Sequence, residues 1–93
     1  MLDEDTGMYY VGDKIISLTF YESMVLEVLI KNKYKLVTYE EFLKEVYSEK
    51  NLTHEGKQKV NVLMWRLKQK LKSYINIKRV WNIGFILLGE VKK

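Results

Sequence analysis

The sequence contains no cysteine and no proline, one histidine, and a single carboxylate side chain after Glu55, that of Glu90. Without cysteine there is no disulfide framework and no thiolate zinc site. His54 alone cannot assemble a histidine-based metal site, so no metal is expected. No glycine-rich phosphate loop and no nucleophile–base pair can be traced along the chain, so neither a cofactor nor an enzymatic activity is expected. No apolar run approaches the roughly 20 residues that a membrane helix needs. The N-terminus carries Asp3, Glu4 and Asp5 and lacks the apolar stretch of a signal peptide. A soluble, cytoplasmic chain without a membrane partner is the expectation. The absence of proline leaves every periodic segment uninterrupted.

What is present fits one domain. Ninety-three residues, 47% of them apolar, can fill one core but not two. The expected division is a flexible segment over 1–8, a folded domain over 9–89 and a tail over 90–93. Charge is segregated along the chain. Eleven of the 12 acidic residues lie at or before Glu55, whereas Lys57, Lys59, Arg66, Lys68, Lys70, Lys72, Lys78 and Arg79 occupy 56–89 with no carboxylate among them. Surfaces selected only for solubility mix the two signs. A segregated basic segment is the footprint of a polyanion binder; the plainer alternative is a solvated basic helix.

Tyr9–Val11 and Lys14–Leu18 are β-prone runs separated by Gly12-Asp13, which reads as a hairpin. Thr19 is followed three residues later by Glu22, a capping box that starts a helix from Phe20 to about Asn32. Thr38 repeats the device ahead of a short helix to about Tyr47, with Phe42, Leu43 and Val46 facing inward. A polar loop over 48–53 precedes a third helix, from His54 or Glu55 to Ser73. Two further β runs, Ile75–Trp81 and Phe85–Leu88, are joined by Asn82-Ile83-Gly84, whose Asn and Gly tolerate positive φ. The expected fold class is α+β: a winged helix-turn-helix with short N-terminal antiparallel strands, three helices and a C-terminal β-hairpin wing.

The third helix carries the functional argument. At about 3.6 residues per turn, Val60, Leu63, Met64, Leu67 and Leu71 form a core stripe. The opposite side collects Gln58, Asn61, Val62, Trp65, Arg66, Gln69 and Lys72, with Lys59 at its edge, and reads as free of carboxylates. Arg and Lys neutralise phosphates or read guanine, and Asn and Gln can pair bidentately with adenine. Such a face suits the major groove of double-stranded DNA.

Four blocks are similar to the effector domain of OmpR/PhoB-type bacterial response regulators, in order and at normal spacing over about Tyr9 to Leu88. LTFYESMVLEVLI resembles the family's first helix, TYEEFLKEVY its second, VNVLMWRLKQKL its recognition helix and IKRVWNIGFIL its wing. The resemblance implies sequence-specific duplex-DNA binding in transcription regulation, with the third helix in the major groove and the hairpin on the adjacent backbone or minor groove. Carried over by position, the base- and phosphate-facing places fall at Gln58, Lys59, Asn61, Val62, Leu63, Trp65, Arg66 and Lys68, and the wing contacts at Arg79 and Trp81. It further implies contact with RNA polymerase through the loop over 48–53, and a monomer alone or a weak dimer on tandem DNA sites. The chain departs from the pattern at Trp81, where the wing Arg is usual, and at Asn82, Leu63, Trp65 and Arg79. It has room for about two N-terminal strands where the family has four. No phosphoacceptor receiver domain fits in 93 residues, which leaves an isolated effector domain or a single-domain regulator.

A second reading belongs to a different class: a degenerate winged helix acting as a protein–protein interaction module, with Val62, Leu63, Trp65 and Trp81 as an apolar docking patch. Trp65 either stacks on a sugar-phosphate backbone or covers neighbouring apolar surface. Salt dependence discriminates the two readings, because phosphate binding weakens steeply with salt and an apolar interface does not.

Overall fold

The computed structural model describes residues 1–3 and 5–90. The elements run β1 (Leu2–Asp3), β2 (Met8–Val11), β3 (Lys14–Ser17), α1 (Phe20–Lys31), β4 (Leu36–Thr38), α2 (Tyr39–Tyr47), α3 (His54–Leu71), β5 (Ile75–Val80) and β6 (Gly84–Glu90). Two three-stranded antiparallel sheets result, in the orders β1-β2-β3 and β4-β6-β5. Three helices followed by the β5–β6 hairpin make the α+β winged helix-turn-helix expected from the sequence.

The helix starts follow from their caps. Thr19 Oγ1 accepts from Glu22 N at 3.2 Å while the Glu22 carboxylate accepts from Thr19 N at 2.8 Å, so two orphan N–H groups are satisfied reciprocally. At Thr38 only half of the device forms. Thr38 Oγ1 accepts from Glu41 N, but the Glu41 carboxylate accepts from the Thr38 hydroxyl at 3.3 Å and not from its N–H. Thr38 also closes β4, where it lies opposite Gly84. Thr53 caps α3 by accepting from Gly56 N. A Cβ at Gly56 would meet Leu43 Cδ1 at 2.8 Å and force that side chain to shift, so α2 and α3 cross in close contact there.

Several expectations need correction. Residues 1–8, placed outside the domain on sequence grounds, supply β1 and the first residue of β2, so the N-terminal sheet has three strands and not two. The tail expected at 90–93 begins inside β6, which reaches Glu90; 91–93 lie outside the described residues. β4 was not anticipated. It is a three-residue strand whose partner, β6, lies 48 residues away in sequence, and so short a run carries no periodicity of its own. The wing turn spans 81–83, and only Asn82 takes a positive φ, 59°. Gly84 serves another purpose. A Cβ there would lie 1.9 Å from the Val37 carbonyl oxygen, so glycine permits β4 to pair against the base of the wing.

One core unites the parts. Val25, Leu26 and Leu29 of α1, Phe42 and Leu43 of α2, and Val60, Met64, Leu67 and Leu71 of α3 are buried with Val37, Ile75, Ile77, Phe85 and Leu87 of the second sheet. Burying each large apolar side chain contributes about 1.5–3 kcal/mol. This core fixes which side of α3 remains outside.

Candidate nucleic-acid interface

The side of α3 turned away from the core has a crest and two flanks. Gln58, Val62, Trp65, Gln69 and Lys72 are exposed along the crest, with Trp65 64% accessible. Gln58 Nε2 lies 3.1 Å from the His54 ring, one helical turn back. So large an exposed indole on a helix whose inner face is fully packed leaves apolar area available for a partner.

The first flank faces α1 and the loop before α3, and carries Lys59, Arg66 and Lys70. Lys59 Nζ donates to Glu49 at 2.8 Å and lies 5.0 Å from the centre of the Tyr47 ring. The Glu49 carboxylate holds the Lys59 pKa above its ordinary value. Lys70 Nζ donates to Glu22 at 2.6 Å and to the Ser17 carbonyl at 3.2 Å, tying α3 to the end of β3 and the start of α1. Burial pushes the Glu22 carboxyl up, but the Lys70 ammonium and the Thr19 N–H together outweigh it, leaving Glu22 below its ordinary value. Arg66 is exposed and has no ion pair among the described residues. It lines an open groove with Tyr21, Tyr47, Gln58 and Val62. Glu55 lines the same groove, so the face is not free of carboxylates as its sequence suggested; one acid stands at its N-terminal end.

The second flank faces the wing and carries Lys57, Asn61 and Lys68. Here the cations meet aromatic rings: Lys57 Nζ lies 5.7 Å from the Tyr39 ring centre, and Lys68 Nζ 5.9 Å from that of Phe85. Asn61 Oδ1 accepts from the Tyr39 hydroxyl at 2.6 Å. Tyr39 is therefore a junction. Its ring packs edge-on to Phe85 at 5.8 Å, its backbone N–H donates to Ile83 O in the wing turn at 3.1 Å, and its hydroxyl reaches α3. Sequence reasoning missed both Tyr39 and Lys57. The spacing of Lys57, Asn61 and Lys68 on one side of the helix would have exposed the flank, but nothing local signals that Tyr39 meets a residue 22 positions on.

On the wing, Arg79 near the end of β5 and Trp81 at the start of the turn come together, with the guanidinium carbon over the indole 4.9 Å from its centre. Both are exposed, Trp81 at 72%. Leu63, included in the apolar docking patch on sequence grounds, is only 6% accessible and belongs to the core. Val62, Trp65 and Trp81 do reach the surface, on two different elements.

Among the described residues, no helix is long and apolar enough to cross a membrane and no cluster of three or more His, Cys, Asp or Glu could hold a metal ion.

Known proteins share this architecture. A sequence model of the family described as "Transcriptional regulatory protein, C terminal" matches residues 12–87. The transcriptional regulatory protein PhoP of Escherichia coli K12 is 30% identical over 63 residues, which is 68% of this chain and 27% of the length of PhoP. The DNA-binding domain of Bacillus subtilis CssR superimposes with a TM-score of 0.81 at 22% identity, covering 95% of this chain and 98% of that one. The Klebsiella pneumoniae RstA DNA-binding domain, solved in complex with the RstA box, gives a TM-score of 0.77 at 22% identity over 94% and 88% of the two chains. At these identities the superpositions speak for the fold, and the match over 12–87 for the family.

Proposed function

The chain belongs to the family of transcriptional regulatory protein C-terminal domains, and from that premise we propose that it binds duplex DNA sequence-specifically as a bacterial transcriptional regulator. α3 enters the major groove by its crest, and the wing rests on the adjacent backbone or minor groove. RstA, a relative in fold, was solved on its own DNA box. The observation in this molecule that carries the reading is the exposed Arg66, without an ion pair among the described residues, beside a crest of amides and a bare indole.

Arg66 is the principal base reader, since a guanidinium fork matches the O6 and N7 acceptors of guanine. Gln58, Asn61 and Gln69 add amide contacts, and Val62 and Trp65 offer apolar surface to thymine methyl groups or sugars. Lys68 and Lys72 neutralise phosphates, as does Arg79 on the wing with Trp81 beside it. Lys59, already held by Glu49, contributes less. The loop over 48–53, in which Lys50, Asn51 and Leu52 are exposed, is the proposed surface for RNA polymerase. The domain acts as a monomer alone or a weak dimer on tandem sites.

The test is selection of bound sites from random duplexes, followed by titration at several salt concentrations. Enrichment of a defined site, with affinity falling steeply as salt rises, is the expected result. Salt-insensitive binding to no preferred sequence would overturn the reading in favour of a protein-interaction module.

A further inference from the structure

Asparagine on a recognition helix is ordinarily read as an adenine partner, because its carboxamide can accept from N6 and donate to N7 together. Asn61 is not presented in that way. Its Oδ1 is held at 2.6 Å by the hydroxyl of Tyr39, a side chain only 1% accessible. Tyr39 is itself fixed from three directions: by its place in the first turn of α2, by its ring against Phe85, and by its N–H on Ile83 O. The oxygen end of the Asn61 carboxamide is thereby turned into the seam between α2 and α3. Its NH2 lies on the opposite arm of the same planar group. A second lone pair remains on Oδ1, but that atom rests against a buried ring, so a base edge meets the nitrogen first.

We infer that the Tyr39 hydroxyl is a specificity-setting positioning group, which converts Asn61 from a donor-and-acceptor reader into a donor-presenting one. A donor alone favours a base edge that offers acceptors. Guanine presents two in the major groove, N7 and O6, and thymine presents O4, whereas adenine interrupts its N7 with the N6 donor. At the base under Asn61 the protein therefore selects guanine or thymine over adenine. The inference rests on the proposal that α3 enters the major groove.

The experiment is site selection from a randomised duplex pool with the wild-type chain and four variants: Tyr39→Phe, Asn61→Ala, Tyr39→Phe with Asn61→Ala, and Asn61→Asp. Tyr39→Phe removes only the hydroxyl and keeps the ring contacts and the backbone bond to the wing. Circular dichroism and melting verify that each variant folds. The wild type should disfavour adenine at one position. Tyr39→Phe should raise the adenine-to-guanine ratio there by about tenfold, on the scale of a bidentate contact. Asn61→Ala should erase the preference, and adding Tyr39→Phe to it should change nothing more. Asn61→Asp keeps an oxygen for Tyr39 but presents an acceptor, so its preference should move towards cytosine, whose N4 donates. If Tyr39→Phe fails to fold, the wild type against Asn61→Ala decides the matter: a preference for adenine that Asn61→Ala erases overturns the inference. A purely structural role for Tyr39 would lower affinity for all sites alike and leave base preference untouched.

If Tyr39→Phe leaves every position unchanged while Asn61→Ala alters one, the inference is overturned and DNA recognition by α3 stands. If Asn61→Ala alters no position, Asn61 reads nothing and the inference also fails. If the wild type enriches no sequence at all, the underlying proposal fails, and the inference with it.

Discussion

The two flanks of α3 carry similar charge in the sequence and use it in opposite ways. On the side facing α1 and the preceding loop, Lys59 and Lys70 are paired with Glu49 and Glu22, which leaves Arg66 as the cation there with no ion pair among the described residues. On the side facing the wing, Lys57 and Lys68 lie over aromatic rings. An aromatic face attracts a cation by about 0.5–1 kcal/mol at exposed sites, yet it brings no compensating charge. The full positive charge stays available to a phosphate. A surface ion pair contributes little to stability, but a carboxylate in direct contact with an ammonium cancels most of its attraction for a phosphate. Counting cations therefore overstates the first flank and describes the second correctly.

The largest expected effect belongs to Arg66. Arg66→Ala removes the unpaired cation of its flank from an exposed position, so the fold should survive. Specific binding should fall by roughly 1–3 kcal/mol, the worth of a bidentate guanine contact. A gel-shift titration showing unchanged affinity and unchanged sequence preference would rule out this role. It would also leave the first flank with no part in recognition.

The second expectation tests whether Lys70 belongs to the fold and not to the interface. Glu22→Gln deletes the charge that holds Lys70 and weakens the cap on Thr19 N. It should cost about 1–2 kcal/mol of stability, in the range of a charge-assisted hydrogen bond. The pH dependence has a defined sign. Because the folded-state pKa of Glu22 is lowered from its ordinary 4.5, its extra stability is fully present above about 4.5. It is lost as pH falls through the lower folded value. Thermal melts from pH 7 to 3 should show a smaller acid destabilisation in Glu22→Gln than in the wild type. Identical acid slopes would show that Glu22 contributes no such linkage. Lys70→Ala should reproduce the stability loss and leave the salt dependence of DNA binding nearly intact.

Much of this frame was legible in the sequence, for local reasons. A threonine cap satisfies its helix within three residues, so Thr19 and Thr38 mark the starts of α1 and α2 at short range. The inward stripe of α3 repeats with the helical period and is buried as expected from Val60 to Leu71. What stayed hidden depends on distant partners. β4 exists because Gly84 lets its backbone come close. Glu22 neutralises Lys70 across 48 positions, and Tyr39 reaches Asn61 across 22. The exposed candidate site residues were readable as types, but which cations remained without an ion pair among the described residues was set by tertiary pairing that no periodicity encodes.

A smaller effect separates the flanks directly. Lys68→Ala should lower affinity for all sequences alike and flatten the plot of log K against log salt by about one unit, the loss of one phosphate contact. Lys72→Ala, at the exposed end of α3, should behave in the same way. Lys59→Ala should change the slope much less, because Glu49 already opposes its charge. Glu49→Gln should free Lys59 and steepen the slope. If Lys59→Ala and Lys68→Ala flatten it equally, ion pairing with Glu49 does not withhold Lys59 from DNA, and the distinction between the flanks collapses.

The smallest effect lies on the wing, where the second flank continues. Trp81 stands at a hairpin position where an Arg inserted into a narrow minor groove would gain from its enhanced negative potential. An indole has no charge to gain from that field, though its N–H can reach a phosphate and its face can lie along a sugar. The nearest cation, Arg79, lies over that indole at 4.9 Å, one near the end of β5 and the other at the start of the turn. The pair is expected to meet the backbone and not the groove floor. Arg79→Ala should then weaken binding generally, by less than about tenfold, the scale of one lost phosphate contact. An A-tract placed in the flank under the wing should add little affinity. The comparison requires sites identical except in that flank. If the A-tract tightens binding tenfold or more and Trp81→Ala removes the gain, the indole reads groove shape, and Arg79 is not the main wing contact.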